Sequence, residues 1–383
     1  MTASYFAITG GCGYIGLRLA RYLLEINHSN IVFLLDIHPP SNDKQLYTSD
    51  LNRLIYRYCD IRSYKSVYDA LSNTTCVFHL ASYGMSGREM LNSSMIYEVN
   101  VIGTENIINA CIQHGINKII YCSTYNAVYT GTKELLNVTE DDCSYPTEDK
   151  YCDNYSRTKS LAEQMILKVC SSKLHTVAIR PAAIYGDGEQ RHFPRILNLV
   201  RQGLAFFAIG HENILCDWVY ADNLVYALVL AEKSLPEHSG EVYFISDDQP
   251  VNNFQFISQL TKGLGYNYCF AFYIPTFIMF YFGYFIEIIH HIVAKYIYNF
   301  SPFLSRAEVL KVGVTHYANI TKAKKILGYN VKVSPDKAMQ KCIQWFDEHG
   351  YRKTINKNSF KHFSLVLISL VILMIFFFYQ FIR

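Results

Sequence analysis

Charge is scarce in this chain. Of its 383 residues, 17% are Asp, Glu, Lys or Arg, against about 25% in ordinary soluble proteins. The formal net charge of +3 is too small to supply the basic surface of a nucleic-acid binder, so no nucleic acid is expected as a partner. The 11 cysteines form no CxxC pair and are odd in number. That excludes a dense disulfide framework and reads as reduced thiols facing the cytosol. No HExxH spacing occurs, and no metal is expected. Internal repeats and low-complexity tracts are missing as well. No signal peptide is expected, because the chain runs at once into a strand-like Tyr5-Phe6-Ala7-Ile8 and a glycine loop. What the chain has in place of charge is apolar and aromatic surface: 50% hydrophobic, with 31 Tyr and 24 Phe. Such a composition excludes a disordered chain and points towards lipid.

Two stretches carry that signal. Phe363 to Ile382 contains no charged residue and is long enough to span about 30 Å of hydrocarbon. Arg352, Lys353, Lys357 and Lys361 precede it and only Arg383 follows. The positive-inside rule therefore keeps the bulk of the chain in the cytosol, behind a single C-terminal anchor. A second segment, 270–300, opens with a run dense in Phe and Tyr but broken by Pro275, Gly283 and Glu287. These interruptions favour a segment lying on or dipping into the membrane interface over a second span, with a pair of core helices in the substrate lobe as the competing reading.

Through the first 180 residues short apolar runs alternate with amphipathic ones. Strands are expected at Phe6–Thr9, Ile31–Leu35, Leu54–Tyr58, Cys76–Leu80, Ile119–Cys122 and Thr176–Arg180, each apolar on both faces. This alternation predicts an α/β fold with a Rossmann-type, doubly wound parallel sheet over 1–180. A smaller substrate lobe follows over 181–350, with a return to the first lobe near 222–245. A basic linker, 351–362, leads to the anchor at 363–382.

Thr9-Gly10-Gly11-Cys12-Gly13-Tyr14-Ile15-Gly16 joins the first strand to the first helix. Gly10 permits a tight turn, Gly13 admits a pyrophosphate to backbone N–H groups, and Gly16 allows close packing of the helix. The helix N-terminus adds its positive dipole end. Asp36 ends the second strand. A carboxylate there accepts both ribose hydroxyls and repels a 2′-phosphate, so NAD is favoured over NADP. Asp60 and Ile61 follow the third strand, where a side chain can face the adenine.

Tyr155 and Lys159 stand four apart in a helical run and share one face. A nearby ammonium lowers a tyrosine pKa from its ordinary value near 10 and prepares the phenol for proton exchange with a substrate hydroxyl. Ser123-Thr124 ends the fifth strand, at the edge where ligands bind in such sheets. A hydroxyl there can hold the reacting oxygen, and Ser123 and Thr124 compete for the role.

Together TGGCGYIG, Asp36, Asp60-Ile61, His79-Leu80-Ala81, Asn100 to Thr104, Ser123-Thr124, YSRTK, Arg180 to Gly186 and Asp217 to Asn223 resemble the extended short-chain dehydrogenase/reductases, over residues 5 to about 347. The aromatic segment and the anchor look like the 3β-hydroxysteroid dehydrogenase/isomerase branch. Ala81 to Glu89 is similar to the short-chain dehydrogenase family 42E. The resemblance implies oxidation of a 3β-hydroxyl on a steroid or sterol, with Thr124, Tyr155 and Lys159 catalytic. It implies an NAD site built from Gly10, Gly13, Tyr14, Ile15, Gly16, Asp36, Asp60, Ile61, Leu80, Ala81, Tyr155, Lys159 and Pro181. The resemblance also implies a helix-mediated homodimer, and the C-terminal anchor together with steroid chemistry points to membrane lipid as a partner and the endoplasmic reticulum as location. No motif places the further acid–base groups that isomerisation needs. A nucleotide-sugar epimerase or dehydratase shares the fold and the Tyr-Lys pair, but its water-soluble substrate needs no anchor. An NAD-sensing scaffold needs no Tyr-Lys pair.

Overall fold

The computed structural model describes residues 4–40, 52–296, 302 and 304–353. The expected anchor at 363–382, most of the linker and the end of the aromatic segment at 297–300 lie outside the described residues. In chain order the strands are β1 (Tyr5–Thr9), β2 (Ile31–Asp36), β3 (Leu54–Tyr58), β4 (Cys76–His79), β5 (Lys118–Cys122), β6 (Leu135–Val138), β7 (His175–Pro181), β8 (Ala183–Tyr185), β9 (Phe207–Ile209), β10 (Trp218–Tyr220), β11 (Glu241–Ile245), β12 (Phe272–Ile274) and β13 (His316–Ala318). The α-helices are α1 (Tyr14–Ile26), α2 (Tyr64–Ala70), α3 (Ser93–Tyr97), α4 (Gly103–His114), α5 (Asn154–Lys168), α6 (Phe193–Arg201), α7 (Ala221–Lys233), α8 (Asn253–Gly263), α9 (Thr276–Tyr296), α10 (Arg306–Gly313) and α11 (Pro335–Glu348).

Seven strands form one sheet in the order β11-β7-β5-β4-β1-β2-β3, and every neighbouring pair is parallel. Parallel neighbours need a crossover connection, which puts helices on both faces. Successive residues of a strand then enter opposite cores. Ile8, Ile120 and Ile179 pack with Leu19, Leu23, Leu224 and Leu228 from α1 and α7. Ala7, Ile119 and Ala178 pack with Val67, Ile107, Ala162 and Ile166 from α2, α4 and α5. This is the doubly wound sheet that the alternation predicts. The strand order reverses between β1 and β4, and a crevice opens there at the carboxyl edge.

One strand departs from the sequence reading. β3 is not buried on both faces: Ile55 is 37% exposed and Tyr58 62%. It is the outermost strand of the sheet, so part of its surface has no layer to cover it.

The second lobe is built on a cluster of Phe193, Leu197, Phe256, Leu260 and Phe346 from α6, α8 and α11. Three two-stranded parallel ladders, β8–β10, β9–β12 and β6–β13, join its segments. The chain returns to the first core through α7 and β11, and a second time through Ala318, Ile320, Ala323 and Leu327.

Within the aromatic segment, Thr276–Ala294 is long and apolar enough to cross a membrane by length and composition, with 17% of it buried. Its two sides differ. Gly283, Ile286 and His290 are buried. A Cβ at Gly283 would lie 3.1 Å from the Arg306 nitrogen, so α9 and the start of α10 touch closely. Glu287 accepts from the Arg306 backbone N–H at 2.8 Å and from its Nε at 2.7 Å. On the other side Phe277, Tyr281, Ile288 and Ile292 are exposed, while Tyr284, exposed at the border, lies under the Arg306 guanidinium at 4.6 Å.

Candidate active site

The glycine loop turns at Gly10, whose φ of +65° suits glycine. A Cβ on Gly10 would also stand 3.0 Å from Ala81 Cα. Gly13 donates its N–H to the Gly10 carbonyl at 3.0 Å and caps α1 without a side chain, leaving the helix N-terminus open to an anion. A Cβ on Gly16 would meet the Gly10 and Gly11 carbonyl oxygens at 2.4 and 2.7 Å. Its role is thus to let α1 close onto its own loop. Gly11, to which sequence reasoning gave no role, is as constrained: its Cβ would lie 2.6 Å from the Ile8 oxygen and 2.8 Å from Leu34 Cα.

At the end of β2, Asp36 accepts from the Cys12 N–H through Oδ2 at 3.1 Å and from the His38 N–H through Oδ1 at 3.3 Å. This holds a carboxylate beside the glycine loop. Leu80 and Ala81, just past β4, both donate their N–H groups to Thr9 Oγ1 at 3.1 Å. The loop, Asp36 and Leu80-Ala81 therefore meet at the carboxyl ends of β1, β2 and β4. A backbone cradle with a carboxylate at its rim fits a dinucleotide.

Other expected cofactor contacts are placed differently. The Tyr14 hydroxyl donates to the Asp187 carbonyl at 3.0 Å, so this side chain crosses to the second lobe and only its backbone faces the loop. Ile15 packs against the first core. The Ile61 side chain is buried and meets α4, where a Cβ on Gly103 would stand 2.6 Å from its Cδ1. Asp60 pairs with Arg62 at 2.7 Å. The Arg62 hydrogen bond holds its carboxyl below the usual range, burial opposing. Asp60 is thus already committed to a cation. Pro181 ends β7, buried beside Ile245.

The second group gathers at β5. Asp153 caps α5, its Oδ1 accepting the Ser156 N–H at 2.6 Å. The helix then presents Tyr155, Lys159 and Glu163 on one buried face. Lys159 Nζ donates to the Cys122 carbonyl at 2.6 Å and lies 4.1 Å from the centre of the Tyr121 ring. Burial lowers the Lys159 pKa to about 8. Glu163 forms a buried ion pair with Arg180 at 2.6 Å. Among the described residues none hydrogen-bonds the Tyr155 hydroxyl. Thr124 Oγ1 accepts from the Asn126 N–H at 3.2 Å. Ser123 is buried, and its Oγ has no hydrogen-bond partner among the described residues.

The electrostatics differ from the sequence expectation in one respect. Burial pushes the Tyr155 pKa up to about 12, and the first cation to oppose it is Lys311, followed by Arg191. Lys311 comes from α10, far along the chain, and no sequence spacing announces it. Two further groups, which the sequence offered only as motif landmarks without a role, gain one here. Asn100 accepts the Tyr83 N–H at 2.9 Å and donates to Thr158 Oγ1 at 3.0 Å, fastening the 80s loop to α5. It sits in a π-helical turn, Glu98–Ile102, a wide turn frequent at functional sites. His79 is held between Thr9 Oγ1 at 2.7 Å and Thr104 Oγ1 at 2.9 Å, and burial lowers its pKa to about 3. It is therefore a neutral strut beneath the loop.

The chain is 42% identical over 372 residues to short-chain dehydrogenase/reductase family 42E member 1 of Danio rerio, covering 94% of this chain and 92% of the relative. It is 30% identical over 351 residues to the Mus musculus sterol-4-alpha-carboxylate 3-dehydrogenase, decarboxylating, covering 90% and 91%. Among solved structures, a Thermotoga maritima UDP-glucose 4-epimerase with UDP-glucose superposes with a TM-score of 0.68 at 20% identity, over 90% of this chain and 99% of that one. That likeness shows the fold alone. The model of the 3-beta hydroxysteroid dehydrogenase/isomerase family matches residues 7–274, well over half of the sequence, and the chain belongs to that family of dehydrogenase-type enzymes.

Proposed function

We propose that the chain is an NAD-dependent oxidoreductase that converts the 3β-hydroxyl of a steroid or sterol to a ketone at a membrane surface. The observation that carries this reading is the Tyr155 hydroxyl. It stands without a hydrogen-bond partner among the described residues, on the helix whose Lys159 is fastened to the Cys122 carbonyl beside Ser123-Thr124. The glycine loop, with Asp36 at its rim, would hold the dinucleotide. Bound NAD would supply the hydride acceptor. Tyr155 Oη, as the phenolate, would take the proton of the substrate hydroxyl as a hydride leaves the carbinol carbon, so that alcohol becomes ketone with one proton left on the protein. Thr124, or Ser123 beside it, holds the same oxygen. Lys159 keeps α5 in register with β5 and places a cation under the reacting groups.

The sterol class is supported by the sterol dehydrogenase relative and by the apolar outer strip of α9. The epimerase alternative shares only the fold: its neighbours, a dTDP-glucose 4,6-dehydratase and UDP-sugar enzymes among them, are 17–21% identical. A screen of full-length protein with NAD against 3β-hydroxysteroids, 4-carboxysterols and nucleotide sugars tests the proposal, with cofactor absorbance reading net oxidation and chromatography of the sugar products reading redox-neutral epimerisation or dehydration. Turnover of a 3β-hydroxysterol is expected. Turnover of nucleotide sugars alone would overturn it.

A further inference from the structure

The side chain that the reading above leaves without a role is Lys311. It lies on α10, yet its Nζ is 5.6 Å from the centre of the Tyr155 ring. It pairs with Asp153 Oδ2, and the two side chains are 16% and 7% exposed. Asp153 is the residue whose other oxygen caps the helix that carries Tyr155. One carboxylate thus touches both the helix start and the cation beside the tyrosine.

The position of Lys311 is tightly held. Tyr129 Oη donates to the carbonyl of the preceding residue, Leu310, at 3.1 Å. A Cβ on Gly131 would lie 2.8 Å from Leu310 Cβ, so α10 presses on the loop after β5. Ser305 and Glu308 form a capping box at the start of α10, and Thr276 Oγ1 donates to the Gly313 carbonyl at its end at 2.7 Å. A buried ion pair is weak evidence for stability, because desolvation offsets its attraction. Its placement beside a tyrosine that must lose a proton is the informative fact.

We propose that Lys311 is a positioning residue whose charge, moderated by Asp153, sets how readily Tyr155 ionises. The inference rests on Tyr155 being the proton acceptor. The groups facing Tyr155 are Lys311 from α10, Arg191 from the loop before α6, Asp153 at its own helix cap, and Cys122 and Tyr121 from β5, with Lys159 one turn along the same helix face, held on the Cys122 carbonyl. Those facing Lys311 are Asp153, Cys152, Tyr155 and His316. Burial opposes the charge on both Asp153 and Lys311. Their mutual attraction outweighs it, so the carboxyl lies below its ordinary range and the ammonium above. Both stay charged across the neutral and mildly alkaline range.

Removing the cation and removing the anion should therefore act on Tyr155 in opposite directions. Tetranitromethane attacks the phenolate of tyrosine, so the nitration rate of Tyr155 at pH 8–10, mapped by mass spectrometry on the full-length protein, reads its ionisation without any substrate. A shift of one pH unit changes that rate about tenfold. Lys311→Met should slow nitration about tenfold. Asp153→Asn, which still caps the helix, should speed it near pH 8, and the gain should fade towards pH 10 as Lys311, without its partner, loses its proton. Lys311→Met with Asp153→Asn, which buries no unpaired charge, should fall between wild type and Lys311→Met. Lys311→Arg should stay within about twofold of wild type. A structural role alone would loosen the site and speed nitration in both single variants. That outcome, or equal rates in all variants, would overturn the inference. With a sterol that is turned over, the acidic limb of the kcat/KM profile should move in the same order. A wild-type chain that oxidises none of the screened alcohols would count against the proposed function, and the nitration order would still decide the role of Lys311.

Discussion

Lys159 and Cys122 share a hydrogen bond of 2.6 Å from ammonium to carbonyl oxygen, which joins the helix carrying Tyr155 to the strand end carrying Thr124. The ammonium pays for this place by desolvation, which lowers its pKa from the ordinary 10.5 to about 8. Between those values the unfolded chain still holds a proton that the folded chain has released, so stability rises with pH across that window. Below about pH 8 the folded protein carries the full penalty of a buried charge. Lys159→Met removes it at the expense of one hydrogen bond. The melting temperature of the variant relative to wild type should therefore be highest at pH 7 and decline steadily towards pH 10. A difference constant over that range would show that the buried amine is not what titrates.

Tyr155→Phe removes the hydroxyl and leaves the ring on its buried face. NAD binding, followed by quenching of protein fluorescence, should stay within about twofold, since the glycine loop and Asp36 are untouched. Turnover should fall by roughly 100- to 10,000-fold, the range attributed to a positioned proton-transfer group. A fully active variant would remove the proposed chemistry.

Asp36 is held beside the glycine loop by the Cys12 N–H at 3.1 Å, and its neighbour Ile37 is 48% exposed. Replacing Asp36 by Ala together with Ile37→Arg exchanges a carboxylate for a guanidinium where a 2′-phosphate would sit. The ratio of Kd values for NAD and NADP, measured by calorimetry, should move towards NADP by at least about tenfold. Tighter binding of NADP by the wild-type chain would contradict the role given to Asp36.

The parts of this site that are legible in the sequence are the local ones. The glycine spacing, Asp36 at a strand end, and Tyr155 with Lys159 one helical turn apart each depend on residues that are near neighbours in the chain. Asp153 before a helical run carries an N-cap signal that reading for catalytic pairs passed over. Lys311 carries none, because its partner Asp153 is 158 residues away and only the docking of α10 brings them together. The same holds for Ala318 to Leu327, which rejoin the first core after a long excursion. The exposure of β3 was also hidden, since an edge strand and a central one can share an apolar composition, and only strand order separates them. Tyr14 and Ile61 lie inside recognisable motifs, yet the packing of their side chains turned on contacts with distant elements.

Asp217 supplies a second pH test, one that is independent of the chemistry. Burial pushes its pKa from the ordinary 3.8 up to about 7. Oδ2 accepts from the Tyr125 hydroxyl at 3.0 Å and from the Ala318 N–H at 2.9 Å, and Oδ1 has no hydrogen-bond partner among the described residues. Between those pH values the folded chain holds a proton that the unfolded chain has lost, so stability falls as pH rises through the window. Asp217→Asn cannot ionise. Its melting temperature should exceed that of wild type by about 3 °C or more at pH 8, and the gain should shrink towards pH 4. A gain that grew on acidification would reverse the assigned direction.

The two sides of α9 separate lying on a membrane from crossing it. Phe277, Tyr281, Tyr284, Ile288 and Ile292 recur at helical spacing and are exposed, while Gly283 and Ile286 face inward and Glu287 grips Arg306. A helix crossing the bilayer would carry α10 and its Arg306 contact into the hydrocarbon, where a part-exposed ion pair is costly. The structure divides the phenylalanines of this run: Phe277 and Phe285 are exposed, whereas Phe280 packs against the small core cluster of Ala208, Ile209, Phe254 and Val309. A charge at Phe280 would damage the lobe itself. The informative substitutions are Phe277→Glu and Ile288→Glu, in the full chain and in a chain ending at residue 362. Burying one such side chain in lipid contributes about 1.5–3 kcal/mol, so each substitution should weaken liposome binding of the shortened chain by about tenfold or more. The full chain should remain attached through the 363–382 run. NAD affinity should not change, since the glycine loop is elsewhere, whereas KM for a sterol delivered in vesicles should rise. Continued sedimentation of the shortened double variant with liposomes, or protection of residues 304–350 from protease inside sealed vesicles, would replace the interfacial helix with a second span.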